Sequence, residues 1–123
     1  MNAGMNRLLR NNGDGSFTDV TVNVGLDSDN AWGTSGVIAD IDGDGLCDLV
    51  AANYCDLEQP VDQPCFESDG TTEVSCHPLR FRADGDRFWK GTPEGRFVDV
   101  TDDWCADHSP GRGLGLLVGK LDG

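Results

Sequence analysis

The sequence predicts an all-β fold assembled from a repeated unit of four short antiparallel strands. Three observations carry that expectation: an ungapped internal repeat at a spacing of 80 residues, short apolar runs separated by turn-forming residues that include 17 glycines, and an acidic loop set between two of those runs.

A shift of 80 positions lays Gly15, Phe17, Asp19, Val20 and Thr21 on Gly95, Phe97, Asp99, Val100 and Thr101. Without a gap, the same register pairs Arg7 with Arg87, Asp27 with Asp107, Gly33 with Gly113, Asp42 with Asp122 and Gly43 with Gly123. That many identities in one register mark a repeated structural unit.

The elements follow in order along the chain. Asn11, Asn12, Gly13, Asp14 and Gly15 read as a turn joining a strand at 6–10 to one at 17–21. A third strand begins near Gly33 and runs through Val37, Ile38 and Ala39 into the acidic loop, and a fourth carries Leu49, Val50, Ala51 and Ala52 to Asn53. After a long excursion the pattern resumes with strands near 87–90 and at 97–101. Four antiparallel strands are the content of one propeller blade.

The predicted architecture is a β-propeller fragment. Residues 1–32 form the end of a preceding blade and a connector. Residues 33–101 form a complete blade with the acidic loop at 40–48 and a cysteine-bearing insertion at 54–80, and residues 102–123 form a connector and the start of the next blade. Propellers close with typically about four to eight blades, and repeats bury their faces against neighbours, so the remaining blades of a parent ring are expected partners.

The acidic loop is the strongest chemical signal. Counting from Asp40, carboxylates stand at positions one, three, five and nine (Asp40, Asp42, Asp44, Asp48), glycine at six (Gly45), and Leu46 at seven offers its carbonyl. Alternating aspartates on a tightly turning backbone point oxygens at one centre, and calcium takes about six to eight oxygens with tolerant geometry. Magnesium demands a stricter octahedron and zinc prefers nitrogen and sulfur, so calcium (Ca2+) is the expected ion, with Cys47 turned away. An EF-hand begins with the same spacing but needs Glu at position twelve leading into a helix, and position twelve here is Ala51 on an apolar strand. In the 80-residue register a second loop would carry Lys120 at the first position and Asp122 at the third.

Charge narrows the partners. Nine basic against 22 acidic side chains leave a net charge of −13, which repels phosphate backbones and excludes nucleic acid as the expected ligand. Such an excess of carboxylates also favours bound cations. No run approaches the ~18 apolar residues of a membrane span.

Five cysteines point to an oxidising compartment, and the odd number leaves at least one unpaired within the chain. Cys55, Cys65 and Cys76 fall in the excursion, which is rich in proline and poor in apolar residues, and a disulfide among these three is expected there rather than one involving Cys47 or Cys105. A zinc site from Cys65, Cys76, His77 and His108 lacks a Cys-x-x-Cys pair. His77 and His108 have no nucleophile in a recognisable elbow, so no catalytic role is expected. Gly111, Gly113 and Gly115 read as glycines where a strand enters a crowded ring centre, and Trp32, Trp89 and Trp104 as packing residues.

Position by position, Asp40, Asp42, Asp44, Leu46 and Asp48 resemble the calcium loop of FG-GAP (VCBS-type) repeats in integrin α-like propellers. The stretches NRLLRNNGDGSFTDVT and ADIDGDGLCDLVAANY, with the cysteine-bearing excursion, are similar to secreted propellers of the ASPIC/UnbV (cartilage acidic protein-like) group. The resemblance implies a rigid, secreted, extracellular or periplasmic disc with no catalytic activity, serving adhesion or recognition of a protein or glycan ligand. The alternative it leaves open is an accessory propeller segment of a larger secreted hydrolase or lyase.

Overall fold

In the computed structural model of the chain, residues 2–26, 30–57, 64–105 and 109–119 are described. Asp27, Pro60, Asp107, His108, Lys120, Asp122 and Gly123 lie outside them, and with them the second loop predicted at Asp122.

Strands form where the sequence alternates or runs apolar between turn residues. In chain order they are β1 (Asn2–Met5), β2 (Leu9–Asn11), β3 (Phe17–Asp19), β4 (Asn30–Ala39), β5 (Asp48–Asn53), β6 (Cys65–Phe66), β7 (Glu73–Val74), β8 (Arg87–Gly91) and β9 (Phe97–Asp99). Two four-residue helical turns, α1 (Thr21–Val24) and α2 (Thr101–Trp104), and a 3₁₀ turn at Pro78–Arg80 complete the described structure. The fold is all-β and antiparallel, as expected of a propeller fragment.

The main sheet runs β1-β4-β5-β8-β9. Its last four strands, β4, β5, β8 and β9, neighbour one another in chain order and fall at the positions expected of strands. β1 is an addition: Asn2 to Met5 pair antiparallel with Gly33 to Asn30, so the sheet has five strands rather than four. The short β1 segment has Gly4 at its centre and no alternation, which is why the sequence does not announce it. β2 and β3 form a separate two-stranded sheet, the hairpin assigned to the preceding blade.

β5 is the central strand, and Val50, Ala51, Ala52 and Asn53 along it are all buried, which explains why it reads as an apolar run rather than an alternating one. Leu26, Ala51 and Trp89 form the core, with Leu8, Val24, Leu49 and Phe97 packed against them. Trp32 meets the Tyr54 ring edge-on at 5.6 Å between centroids, and Phe88 meets Trp104 at 6.5 Å, so the tryptophans pack as expected.

Two strand ends differ from expectation. The segments 17–21 and 97–101 leave the sheet at Asp19 and Asp99, and Thr21 and Thr101 instead open α1 and α2. The cause is local: each aspartate accepts from the threonine N–H two residues on, at 3.0 Å for Asp19 and 2.9 Å for Asp99. Each threonine hydroxyl in turn accepts a backbone N–H from the partner strand's side, Leu8 at 2.9 Å for Thr21 and Phe88 at 3.0 Å for Thr101. The 80-residue repeat is therefore a repeat of hydrogen bonds.

The excursion is held by a Cys65–Cys76 disulfide, one of the pairings expected, which ties the start of β6 to the chain after β7. Cys47 and Cys55 are free thiols, exposed and buried respectively. Residues 111–119 form no regular strand, in contrast to expectation, because their contacts to the blade are isolated. Gly113 N–H donates to the Asn53 carbonyl at 2.9 Å, and the Thr34 hydroxyl donates to the Gly113 carbonyl at 2.7 Å. The crowding predicted there is present, since a Cβ on Gly113 would lie 2.9 Å from that of Ala52.

Candidate metal centre

The loop between β4 and β5 curls through hydrogen bonds from its own backbone to its own aspartates. Asp40 accepts from Gly43 N–H at 2.8 Å and from Gly45 N–H at 3.0 Å, one on each oxygen. Asp42 accepts from Asp44 N–H at 3.2 Å, and Asp44 from Leu46 N–H at 2.9 Å. Bonds to each of these aspartates from N–H groups two to five residues on thus generate the curve that gathers the carboxylates. Gly43 and Gly45 sit at φ +80° and +87°, the left-handed region that glycine enters without a Cβ penalty.

Asp48, the first residue of β5, anchors the loop to the sheet. Its side chain is 0% exposed. Oδ2 accepts from Ile41 N–H at 2.8 Å, closing the loop, and Oδ1 accepts from Gly91 N–H at 2.9 Å, fixing it to the end of β8. Gly91 allows this approach because a Cβ there would stand 2.2 Å from the Cys47 carbonyl oxygen.

Asp40, Asp42 and Asp48 each bring a carboxylate oxygen to within 4.8 Å of the other two. Asp44 lies outside this triad. Its Oδ2 accepts from the Lys90 ammonium at 2.9 Å, and the same ammonium donates to Asp42 Oδ2. The bonds to Asp42 and then Asp44 raise the Lys90 pKa above the ordinary lysine value. Reciprocally, the Lys90 hydrogen bond, followed by that from Leu46 N–H, holds the Asp44 carboxyl below its usual range. Leu46 enters the loop through its N–H bond to Asp44.

The donor set fits a hard divalent cation. An ionised carboxylate offers about four lone-pair sites, so the oxygens that accept one N–H keep capacity for a metal. Asp48 is buried, and both groups that donate to its carboxyl, the Ile41 and Gly91 N–H groups, are neutral. A buried charge is costly unless compensated, and a cation at the triad would compensate it.

Other sequence candidates resolve differently. The rival zinc set loses Cys65 and Cys76 to the disulfide. His77 accepts from Leu79 N–H through Nδ1 at 3.2 Å, which caps the Pro78–Arg80 turn. Lys90 and Gly91 are site residues that reading the loop alone missed. The repeat register places the basic Arg10 at the position of Lys90, but it puts Asn11 at that of Gly91, and neither correspondence ties β8 to the loop.

An antiparallel all-β sheet of propeller type, with a carboxylate-lined loop joining the blade's first two strands, defines a class of repeat protein. Residues 1–51, from β1 through the loop into β5, match the FG-GAP-like repeat family. Comparison with curated proteins and with solved structures returned no match. Among the described residues, no helix is long and apolar enough to cross a membrane.

Proposed function

We propose that the chain is a calcium-binding segment of a secreted propeller of the ASPIC/UnbV kind, working as a non-catalytic module for adhesion or recognition. One observation carries the metal reading: the Asp40, Asp42 and Asp48 carboxylates converge within 4.8 Å. These residues would hold the ion, with Asp44 and the Leu46 carbonyl as further oxygens, and the ion would neutralise the loop's mutual repulsion. An all-oxygen, anionic and flexible donor set favours calcium over magnesium.

The adhesion role is supported by the FG-GAP-like match, since such repeats are typically extracellular, and by the Cys65–Cys76 bridge, which suits an oxidising compartment. Its ligand is a protein or glycan outside the cell, held by a disc that calcium keeps rigid.

Calorimetric titration of the metal-stripped chain tests the metal reading. Calcium is expected to bind near one equivalent, magnesium much more weakly, and an Asp40→Ala, Asp42→Ala variant to bind neither. Equal heats from that variant and the parent would remove the loop from the account.

A further inference from the structure

We infer that Lys90 is a built-in competitor for the metal, an ammonium that occupies the Asp42 and Asp44 carboxylates in the metal-free chain and must be displaced when calcium loads the loop. The inference rests on the calcium reading above and adds what sets its affinity.

The geometry is specific. Lys90 lies on β8, 42 or more residues from the loop in sequence, yet its Nζ bridges the two aspartates, with Asp44 Oδ2 at 2.9 Å. Its neighbour Gly91 is the residue whose N–H holds Asp48, so the strand that anchors one ligand also delivers the competing cation. Asp44, the third carboxylate in the loop's order, stands outside the Asp40, Asp42, Asp48 triad and faces this ammonium, which Asp42 shares from within the triad. The repeat register puts Arg10 at the same position of the preceding unit, so a basic side chain recurs there.

The physical consequence follows from charge. With the ammonium seated, two of the loop's four carboxylates share a positive partner, and repulsion in the empty loop is relieved. Calcium recovers Asp42 and Asp44 only by breaking both contacts, and loop affinity tracks the net ligand charge. Lys90 therefore lowers the affinity while steadying the empty loop. The side chains of Lys90, Asp42 and Asp44 are 37%, 28% and 32% exposed, so the released ammonium has solvent to move into.

Calcium titration of the intact chain carrying Lys90→Arg, Lys90→Gln or Lys90→Glu tests this, with circular dichroism confirming that each variant keeps the parent's β-spectrum. The expected order of affinity is parent and K90R alike, K90Q tighter by roughly fivefold, a factor in keeping with the modest strength of exposed ion pairs, and K90E tighter still. If the parent binds calcium and K90Q binds equally or more weakly, Lys90 is not a competitor and the calcium site stands without it. If neither the parent nor any variant binds, the calcium reading itself falls and takes this inference with it.

Discussion

The hairpin β2–β3 with α1 and the hairpin β8–β9 with α2 share their local hydrogen bonds and differ in what surrounds them. Val20 N–H donates to the Leu8 carbonyl at 3.0 Å, and Val100 N–H to the Phe88 carbonyl at 2.9 Å, on top of the matching Asp–Thr bonds. Yet Leu9, in the first copy, is 54% exposed, while its counterpart Trp89 is 3% exposed in the core. Phe17 is 60% exposed, whereas Phe97 packs against the core cluster. The conformation of this unit is written in its own residues, and its burial is supplied by the strands beside it. In the second copy those are β5, where Leu49 pairs with Trp89, and the acidic loop, which Lys90 and Gly91 reach.

The largest expected contrast is in the core. Trp89→Ala should destabilise the chain by about 3–5 kcal/mol, whereas Leu9→Ala at the equivalent position should stay within about 0.5 kcal/mol, both read from denaturant unfolding. Similar losses at the two positions would mean that the first hairpin is as well supported as the second.

Exchanging the turn-entry residues sharpens the comparison at the metal centre. Gly91→Asn installs the residue the first copy carries, but its Cβ would meet the Cys47 carbonyl, so a loss of roughly 2 kcal/mol or more and weakened calcium binding are expected. The reciprocal Asn11→Gly should change stability by about 1 kcal/mol or less. A tolerated G91N variant would show that the loop does not depend on the close approach of β8.

Local bonds should respond alike in both copies. Thr21→Val and Thr101→Val each strand a backbone N–H, of Leu8 and of Phe88, and each should lower stability by about 1–2 kcal/mol. A loss confined to Thr101 would place the strength of the motif in its surroundings rather than in its sequence.

The stapled β6–β7 hairpin stands outside the repeat and gives the smallest effect. Asp69 accepts from the Thr72 hydroxyl and the Thr72 and Thr71 N–H groups, which together pull its pKa from 3.8 to about 2. A carboxyl depressed in the folded state contributes stability that is complete above the unfolded value and fades as the pH falls through the folded one. The turn should therefore hold at and above pH about 4 and loosen toward pH about 2, with the Asp69 carboxyl titrating near 2 by carbon-detected NMR. A midpoint at the unfolded value would show that these bonds do not persist in solution.

What the sequence made legible is what is local. The alternation from Asp40 to Asp48 is contained in one loop, and the loop's hydrogen bonds run between residues two to seven apart; spacing predicted a convergence of Asp40, Asp42, Asp44, Asp48 and the Leu46 carbonyl, of which the structure gathers the Asp40, Asp42 and Asp48 carboxylates while Asp44 turns to Lys90. The blade's strand order was legible because the repeat supplied a second copy to align. Lys90 and Gly91 were not, because their roles depend on β8 pairing with β5 across the long excursion that local patterns do not fold. Nor was β1, whose pairing to β4 is long-range, nor the helical turns at Thr21 and Thr101, where an aspartate side chain outcompetes the β-propensity of the Val-Thr pair.

The proposed calcium site is fastened to the sheet through Asp48, whose carboxyl accepts from Gly91 N–H at the end of β8. Thermal unfolding of the chain in excess calcium and in chelator, beside an Asp48→Asn variant, tests that most directly. At a calcium concentration about a hundredfold above the dissociation constant, binding should stabilise the parent by about 2.7 kcal/mol, which raises its Tm by on the order of 10 °C, while the variant should melt at nearly the same temperature in both. A parent whose Tm is unmoved by calcium would contradict the account.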